Sequence, residues 1–461
     1  MVPRISEGHE LLTDCAGRGG QVPLTVARPW SRSLDRPQGG LGALRLLAGP
    51  TRGGPEPWAE HCDRLGGPIG TEIRRRSPLS VIEDVRQAGL TGRGGGAFPT
   101  ATKLAALARA GRRTAVIANG TETEPASAKD SVLLRLRPHL ILDGLEAAAR
   151  VVRASALAVV VPTELERRIL VSALTERSGP SALDVTEVVV ASRAFVAGEE
   201  TSVVNWLDGR AATPRLQPPR LSARGWGNLP TLVQNVETLA HLGLVARFGP
   251  RWFRTAGTGA EPGTMLVTVS GAAERTGVYE VPLGVPLGAI LAAAAGDPSA
   301  RFALIGGYSG AWLRLPEAAS APMSRAGLRP HAGAPGAGVV HLLEPGACGL
   351  AEGHLVVEWM ARQSAGQCGP CVHGLYAIAK TMGTLARPGS SGPNDLELIS
   401  RWCGQVEGRG ACRHPDGVVN FVRSTLRTFG EEVDRHLRGR CSATRSGALP
   451  LARGQFSRAL P

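Results

Sequence analysis

Aromatic residues and lysine are both scarce in this chain. Aromatic residues make up 4% of it, and its only lysines are Lys103, Lys129 and Lys380. The cores must therefore rely on aliphatic side chains, and the net charge of +13 comes almost wholly from arginine. The arginines are scattered and do not alternate with aromatic residues, as a base-stacking surface would require. We therefore expect no nucleic-acid partner.

Long apolar runs are missing as well. The most apolar stretches, 151–161 and 287–295, are too short or too charged to cross a bilayer. The N-terminus lacks the charged-then-apolar order of a signal peptide. These absences predict a cytoplasmic protein without a membrane span, which leaves open a peripheral place in a larger complex. In that reducing compartment the eight cysteines are expected to be metal ligands or free thiols rather than disulfides.

The length of 461 residues allows roughly three domains. Residues 1–77, rich in Gly, Pro and Arg, predict a poorly ordered extension. Strand-like and helix-like segments alternate over 78–250, which predicts an α/β domain with a largely parallel sheet. Short strands around a helix predict a compact β-rich unit at 260–335. Helical patterns predict a small helical domain at 345–438, followed by a disordered tail at 439–461.

A glycine-rich loop lies near the start of the α/β segment. Four of the five residues from Gly92 to Gly96 are glycine, so this loop can bring several backbone N–H groups close to one phosphate. Arg93 and Lys103 add cationic donors. The loop follows a predicted helix at 78–89 and not a strand, so its G-x-G pattern does not indicate a Rossmann fold. The alternative is a merely flexible loop.

Three further segments place polar groups beside predicted strands and helix starts. Asn119, Glu122, Glu124 and Lys129 follow a short apolar strand, where α/β folds bind ligands, although an ordinary surface turn has the same composition. Gly198-Glu199-Glu200 precedes an apolar run, so these acids either stabilise a helix N-terminus or face a ligand as a carboxylate pair. Gln234 and Asn235 repeat this theme at a predicted helix start.

The cysteines form one recognisable pattern. Cys368-Gly-Pro-Cys371 opens a helical stretch, and Cys412 lies further along the same predicted domain. Three thiolates predict an iron–sulfur or zinc site. A thioredoxin-like redox pair is disfavoured because no suitable βαβ pattern surrounds the motif. Cys348 is a candidate for an additional ligand.

These motifs, in this order and spacing, resemble the NADH- and FMN-binding flavoprotein subunit of respiratory complex I, a family that recurs in NAD-reducing hydrogenases. The resemblance covers about 78 to 435. The matching segments are Leu90–Lys103, Asn119–Asp130, Gly198–Arg215 continuing through Pro230–Leu239, and Gln367–Cys371 with Cys412.

The resemblance implies an FMN- and NADH-binding α/β domain, a small β-grasp-like domain and a helical domain that holds a [4Fe–4S] cluster. Hydride would pass from NAD(H) to FMN, and single electrons would pass through the cluster to a partner redox protein or iron–sulfur subunit. Glu199 and Glu200 would be the catalytic residues that position the nicotinamide, and Cys368, Cys371 and Cys412 the metal ligands. The cofactor-binding residues would be Gly92, Arg93, Gly94, Gly95, Gly96, Phe98, Lys103, Asn119, Glu122, Glu124, Gly198 and Asn235.

The chain departs from the family pattern at three informative places. Ala365 stands where the family has its first cluster cysteine, so the fourth ligand would come from Cys348, Ser364, His373 or solvent, or the cluster would be a three-iron form or absent. Phe195 stands where the family has a tyrosine. Arg220 stands where the family has a phenylalanine beside the nucleotide, which leaves the choice between NADH and NADPH open. A non-catalytic assembly paralogue is the alternative function.

Overall fold

The computed structural model describes residues 44–49, 54–177, 181–216, 219–443 and 447–450. The strands are β1 Thr114–Asn119, β2 Ala154–Val161, β3 Thr186–Val190, β4 Thr231–Asn235, β5 Thr264–Gly271, β6 Gly277–Pro282, β7 Phe302–Ile305, β8 Ala311–Arg314 and β9 Val339–Leu342. The helices are α1 Trp58–Leu65, α2 Ile69–Arg74, α3 Pro78–Ala88, α4 Thr100–Ala108, α5 Lys129–Leu136, α6 Pro138–Val152, α7 Glu164–Glu176, α8 Glu200–Leu207, α9 Val236–Phe253, α10 Leu287–Ala293, α11 Arg325–Leu328, α12 Gly349–Arg362, α13 Tyr376–Leu385, α14 Asp395–Val406, α15 His414–Thr428 and α16 Gly430–Leu437.

A four-stranded parallel sheet in the order β3-β2-β1-β4 forms the first domain. Its helices include α6 and α9, which pack so closely that a Cβ at Gly144 would clash with the Leu239 carbonyl oxygen. The chain proceeds from β1 to one side of the sheet through β2 and β3, and returns to the other side of β1 as β4. The crevice between β1 and β4 is therefore the topological switch point, where open α/β sheets bind ligands.

The second domain is a mixed five-stranded sheet in the order β6-β5-β9-β7-β8. The sequence predicted the β-rich unit but ended it at 335. The structure extends it to Leu342, because β9 pairs parallel with β5 and antiparallel with β7. Sequence reasoning also missed the strand β4, although it placed the last two residues of that strand, Gln234 and Asn235, at a helix start, and it missed the two short strands β8 and β9.

The third domain is helical and contains α12 to α16, so the predicted order of a parallel α/β domain, a second sheet and a helical region is confirmed. The segment after it does not match the predicted disordered tail over its described part. Leu449 is buried, and the Glu352 carboxylate accepts hydrogen bonds from the backbone N–H groups of Gly447 and Leu449. Residues 451–461 lie outside the described residues.

The N-terminal segment requires a similar correction. Residues 1–43 lie outside the described residues, but the segment 54–77 contains α1 and α2, where the sequence predicted poor order. Ile69 and Ile73 place one face of α2 in the main core. The backbone N–H groups of Arg45, Leu46 and Leu47 each donate to one Glu280 carboxylate oxygen at 2.9 Å, which ties this segment to β6 of the second domain. The prediction of poor order relied on the Gly, Pro and Arg content of the segment, and composition does not reveal contacts with distant residues such as Glu280.

Across the described residues, none of the helices is both long enough and apolar enough to cross a membrane.

Candidate functional site

Two asparagines mark the carboxyl ends of adjacent strands. Asn119 ends β1 and Asn235 ends β4, and they are direct partners in the parallel register. The Asn235 amide donates to the Asp130 carboxylate at 2.8 Å, while its oxygen accepts from the N–H of Glu237 and so caps α9. Asn119 donates to the carbonyl of Gly198 at 3.0 Å. The two predicted amides therefore meet at the switch point of the sheet.

The glycine loop faces the same point. Gly94, Gly95 and Gly96 line a cleft of about 700 Å³, and Gly92 lines a smaller chamber of about 110 Å³ beside it. The loop is closed at its base by a hydrogen bond of 2.9 Å from the Gly92 N–H to the Phe98 carbonyl. Gly95 has a φ of +97°, a left-handed conformation that strains residues with a Cβ. Only glycine adopts this turn without strain while leaving the cleft clear.

Arg93 does not line either cavity, although the sequence predicted it as a cofactor ligand. Its guanidinium is buried and donates to the carbonyls of Thr91, Pro262 and Thr264 at 3.1, 3.4 and 3.2 Å. Burial lowers the pKa of Arg93, and Glu237 opposes that shift. The guanidinium therefore joins the glycine loop to the start of β5, because carbonyls of the second domain satisfy its donors.

The acidic turn after β1 contributes two half-buried glutamates to the large cleft. Glu122 accepts from the N–H groups of Asp130 and Ser131, both at 2.8 Å, so it also caps α5. Glu124 accepts from the Tyr308 N–H at 2.9 Å and thereby contacts the second domain. Burial raises the pKa of Glu124 to about 7, whereas the backbone donors act in the opposite direction. Burial, followed by the neighbouring Asp130, raises the pKa of Glu122.

Glu199 and Glu200 have separate positions. Glu199 lines the large cleft and caps α8 by accepting from the N–H groups of Thr201 and Ser202 at 2.9 and 3.0 Å. Glu200 forms an ion pair with Lys103, and both line the smaller chamber. Glu199 is thus a helix cap, which was one alternative from the sequence, and it is also part of the cleft wall.

The smaller chamber has the groups that an anion requires. It is lined by Phe98, Lys103 and Gln234, and the Lys103 ammonium reaches the Val233 carbonyl at 3.2 Å. The Gln234 Nε2 is buried and has no hydrogen-bond partner among the described residues. A buried donor without a partner costs free energy, and Gln234 is one of the residues that line this chamber. Lys129, by contrast, is buried in ion pairs with Asp130 and Glu237 at 2.6 and 2.9 Å.

The other walls of the large cleft come from distant parts of the chain, and among their residues sequence reasoning had singled out only Cys412, as a metal ligand. Gly306 and Ser309 come from the second domain, and Cys412 and His414 from the third. The His414 Nε2 lies 2.9 Å from the Met360 carbonyl, and carbonyls only accept, so Nε2 carries the hydrogen. Its Nδ1 is buried without a partner among the described residues. The sequence offered one signal for His414, namely that it lies two residues after the candidate ligand Cys412.

The three predicted cysteine ligands lie together at one side of this cleft. Cys371 occupies a π-helical turn, Pro370–Leu375, and Cys412 closely precedes α15. Burial raises the pKa of Cys371, and the Cys368 and Cys412 thiols raise it further. The three sulfurs therefore share one neighbourhood, and Cys412 also lines the cleft.

Cys348, the predicted possible fourth ligand, does not belong to this group. It precedes α12 and caps its N-terminus, with the Ala351 N–H donating to its sulfur at 3.3 Å. Ala365 follows the other end of this 14-residue helix, which is about 21 Å long at 1.5 Å per residue. Cys348 is thus a helix length away from the position of the missing ligand. Its neighbour is instead His436, at 3.6 Å.

Phe195 and Arg220 each stand where the family has a different residue, and only Phe195 lies in the wall of the large cleft. Phe195 lines the large cleft and packs against the rings of Trp359 and His414, at centroid distances of 5.5 and 5.6 Å. Arg220 is exposed and is not part of either cavity wall.

Two family models match the chain. The Nuo51 FMN-binding domain matches residues 85–243, and the NADH-ubiquinone oxidoreductase-F iron-sulfur binding region matches residues 354–436. The F component of the NADH-quinone oxidoreductase of Streptomyces coelicolor is 30% identical over 379 residues, which cover 79% of this chain and 84% of the relative. The Escherichia coli protein of the same name is 28% identical over 377 residues, with coverages of 78% and 84%.

The fold of this chain is also similar to that of a solved structure. A chain from the NAD+-reducing [NiFe]-hydrogenase in the H2-reduced state superposes with a TM-score of 0.74 at 28% identity, and the match covers 83% of this chain and 67% of that one.

Proposed function

The chain belongs to the NADH-quinone oxidoreductase-F family, and from this membership we propose that it is an NADH-oxidising flavoprotein subunit. In this proposal it binds FMN, takes hydride from NADH, and passes single electrons through an iron–sulfur cluster to a partner redox protein. The relatives are named as subunits, which supports a partner iron–sulfur subunit as the acceptor.

One observation supports this function above all others. The wall of the cleft of about 700 Å³ contains both the glycine loop, through Gly94 to Gly96, and Cys412 of the cysteine site. A cofactor in this cleft would border a metal cluster without an intervening domain. Electron transfer from one to the other requires such adjacency, and a simple nucleotide-binding protein would have no use for it.

The residues present fit FMN. Gly94, Gly95 and Gly96 would hold it with their backbone N–H groups, since no side chain stands between them and the cleft. Lys103 and the unpartnered Gln234 Nε2 would donate to its phosphate in the smaller chamber. Bound FMN supplies the chemistry that the side chains lack, namely hydride acceptance and single-electron release. Asn119 and Asn235 would orient it through their amides.

The nicotinamide would lie on the open side of the same cleft. We assign its positioning to Glu199 and Glu124, which line that cleft, and to Glu200 and Phe98, which lie beside it at the rim of the smaller chamber. Phe98 is 51% exposed at the edge of the smaller chamber, so a large apolar surface is available there for a planar ring. These side chains bind, orient and exclude water, and none of them need act as a nucleophile.

Cys368, Cys371 and Cys412 would hold the cluster through three thiolates. Because Ala365 cannot coordinate and Cys348 lies a helix length away, the fourth iron would be held by Ser364, His373 or solvent, or the cluster would be a three-iron form. A non-catalytic assembly paralogue is the second candidate function, and the loss of a ligand at Ala365 is the observation that favours it.

The test is direct. Purified full-length protein is expected to be yellow, to release FMN on denaturation, and to bleach when NADH is added without oxygen. Glu200→Ala is expected to slow NADH-dependent reduction of an artificial acceptor and to leave FMN bound, because Lys103 and the glycine loop remain. A protein that holds FMN but never bleaches with NADH or NADPH would establish the non-catalytic alternative.

Glu124 predicts a pH dependence. Its pKa is raised to about 7 by burial, so its carboxyl group is neutral below pH 7 and charged above it. A carboxylate beside the cleft repels the phosphates of NADH, so the dissociation constant for NADH is expected to rise as the pH increases through 7. Glu124→Gln is neutral throughout and should remove this rise. Identical pH profiles for the two proteins would show that Glu124 does not face the nucleotide.

A further inference from the structure

A second cluster of potential metal ligands lies at the N-terminal end of α12. Cys348, Glu432, His436 and Cys441 each offer one ligand atom, and these four atoms all lie within 4.8 Å of one another. The first three residues are buried and Cys441 is exposed. None of the four lines the flavin cleft. The cluster is therefore distinct from the site formed by Cys368, Cys371 and Cys412.

The distances in the cluster are those expected between the ligand atoms of one metal ion. The Cys348 sulfur lies 3.6 Å from the His436 Nε2, which in turn lies 3.4 Å from the Glu432 Oε1. The His436–Glu432 contact is longer than a normal nitrogen–oxygen hydrogen bond of about 2.7–3.2 Å, whereas the Cys348–His436 distance also fits a hydrogen bond to sulfur. With zinc bonds of about 2.3 Å to sulfur and about 2.0 Å to nitrogen or oxygen, the ligand atoms of a tetrahedral site are roughly 3.3–3.6 Å apart. Both measured distances match such edges.

The hydrogen bonding of the His436 imidazole leaves its Nε2 free to bind a metal ion. Its Nδ1 lies 3.0 Å from the Leu385 carbonyl, which can only accept, so Nδ1 carries the hydrogen. In the neutral ring Nε2 is then an unprotonated acceptor that faces the Cys348 sulfur and Glu432. Metal-binding histidines are typically oriented in this way, by a carbonyl or carboxylate on the other ring nitrogen.

Glu432 is held in place by its own neighbours. It lies four residues before His436 on α16, so the two side chains share one face of that helix. Its carboxylate accepts from the N–H and hydroxyl of Ser442 at 2.7 and 2.6 Å and from Arg435 at 3.1 Å. These contacts fix the carboxylate in place and bring the adjacent Cys441 to the cluster.

We propose that Cys348, Glu432, His436 and Cys441 form a structural Zn²⁺ site. Two thiolates, one imidazole and one carboxylate are a tetrahedral donor set that favours zinc over Mg²⁺ or Ca²⁺, which prefer oxygen ligands. Four protein ligands leave no open position for catalysis, and zinc undergoes no redox change. The ion joins the segment before α12 to the segment after α16, and so cross-links the beginning and the end of the helical domain.

The experiment uses the full-length chain without a histidine tag, purified under reducing conditions, with zinc and iron measured in the same sample. The wild type is expected to retain one zinc per chain after dialysis against a weak chelator. Cys441→Ser and His436→Gln are each expected to lose zinc and to keep iron and FMN, which would also show that the variants fold. Cys371→Ser should show the reverse pattern, with iron lost and zinc kept.

Cys403→Ser is the matched control, since Cys403 is also a buried thiol of the helical domain but is not a member of the cluster. It should keep zinc at the wild-type level. Cobalt(II) added to zinc-free wild-type protein should give the visible absorption of a tetrahedral thiolate site, which the His436→Gln protein should lack. Any of four results would overturn the proposal. The wild-type protein could contain no zinc, it could hold a Cys348–Cys441 disulfide instead of a metal, or the weak chelator could remove the zinc, which would make it an adventitious ion only. The fourth such result is a zinc content that is unchanged in both ligand variants. Because FMN content is measured separately, none of these results bears on the proposed function.

Discussion

Gly95→Val is expected to yield a folded protein that no longer binds FMN. Gly95 lines the large cleft with a φ of +97°, and its Cβ would point toward the Gly336 backbone, 3.7 Å away. A β-branched residue at this φ strains the loop and moves its N–H groups away from the phosphate. Each lost hydrogen bond to a charged group costs about 1.5–3 kcal/mol, so two of them lower the affinity by roughly two orders of magnitude or more.

The measurement is a fluorescence titration of apoprotein with FMN. Gly111→Val is the matched control, because Gly111 also has a positive φ of +67° but has no atoms near its Cβ position and lies outside both cavities. A smaller, graded loss is expected for Lys103→Met, with the exposed Lys380→Met as its control. Wild-type FMN affinity in Gly95→Val would exclude this cleft as the flavin site.

Cys371→Ser is expected to lose most of the iron from anaerobically prepared protein. Cys371 is the most enclosed of the three candidate ligands, with 3% exposure, and the Cys368 and Cys412 thiols are its neighbours. The site already lacks a thiolate at Ala365, and iron in such clusters prefers thiolate ligands. Removal of a second thiolate leaves two, which is too few to hold a cluster against solvent and oxygen.

Iron and acid-labile sulfide are measured beside FMN, which should stay bound. Cys348→Ser gives the decisive comparison, because a cysteine at the far end of α12 should have no effect on iron. If Cys348→Ser loses iron and Cys371→Ser retains it, the cluster has been assigned to the wrong cysteines. Zinc in place of iron at the Cys371 site would mean that electrons leave the flavin by another route.

The sequence by itself determined the fold class, the order of the domains and the location of the main motifs. These depend on local properties of the chain. Glycine at Gly95 permits a positive φ wherever the loop lies, the acid at Glu199 caps a helix that begins directly after it, and the Cys368–Cys371 spacing places two sulfurs on one turn. The alternation of strands and helices likewise predicted a parallel sheet without knowledge of any long-range contact.

Only the tertiary structure decided where each side chain points and which distant segments meet. Arg93 lies within the glycine loop, yet its guanidinium turns to carbonyls of the second domain because these satisfy its donors once it is buried. Cys348 is close to the C-x-x-C motif in sequence, but the length of α12 separates them. His414 reaches the cleft because α15 packs against α12. Sequence spacing constrains the backbone over a few residues, whereas these outcomes follow from burial and hydrogen-bond satisfaction between residues far apart in the chain.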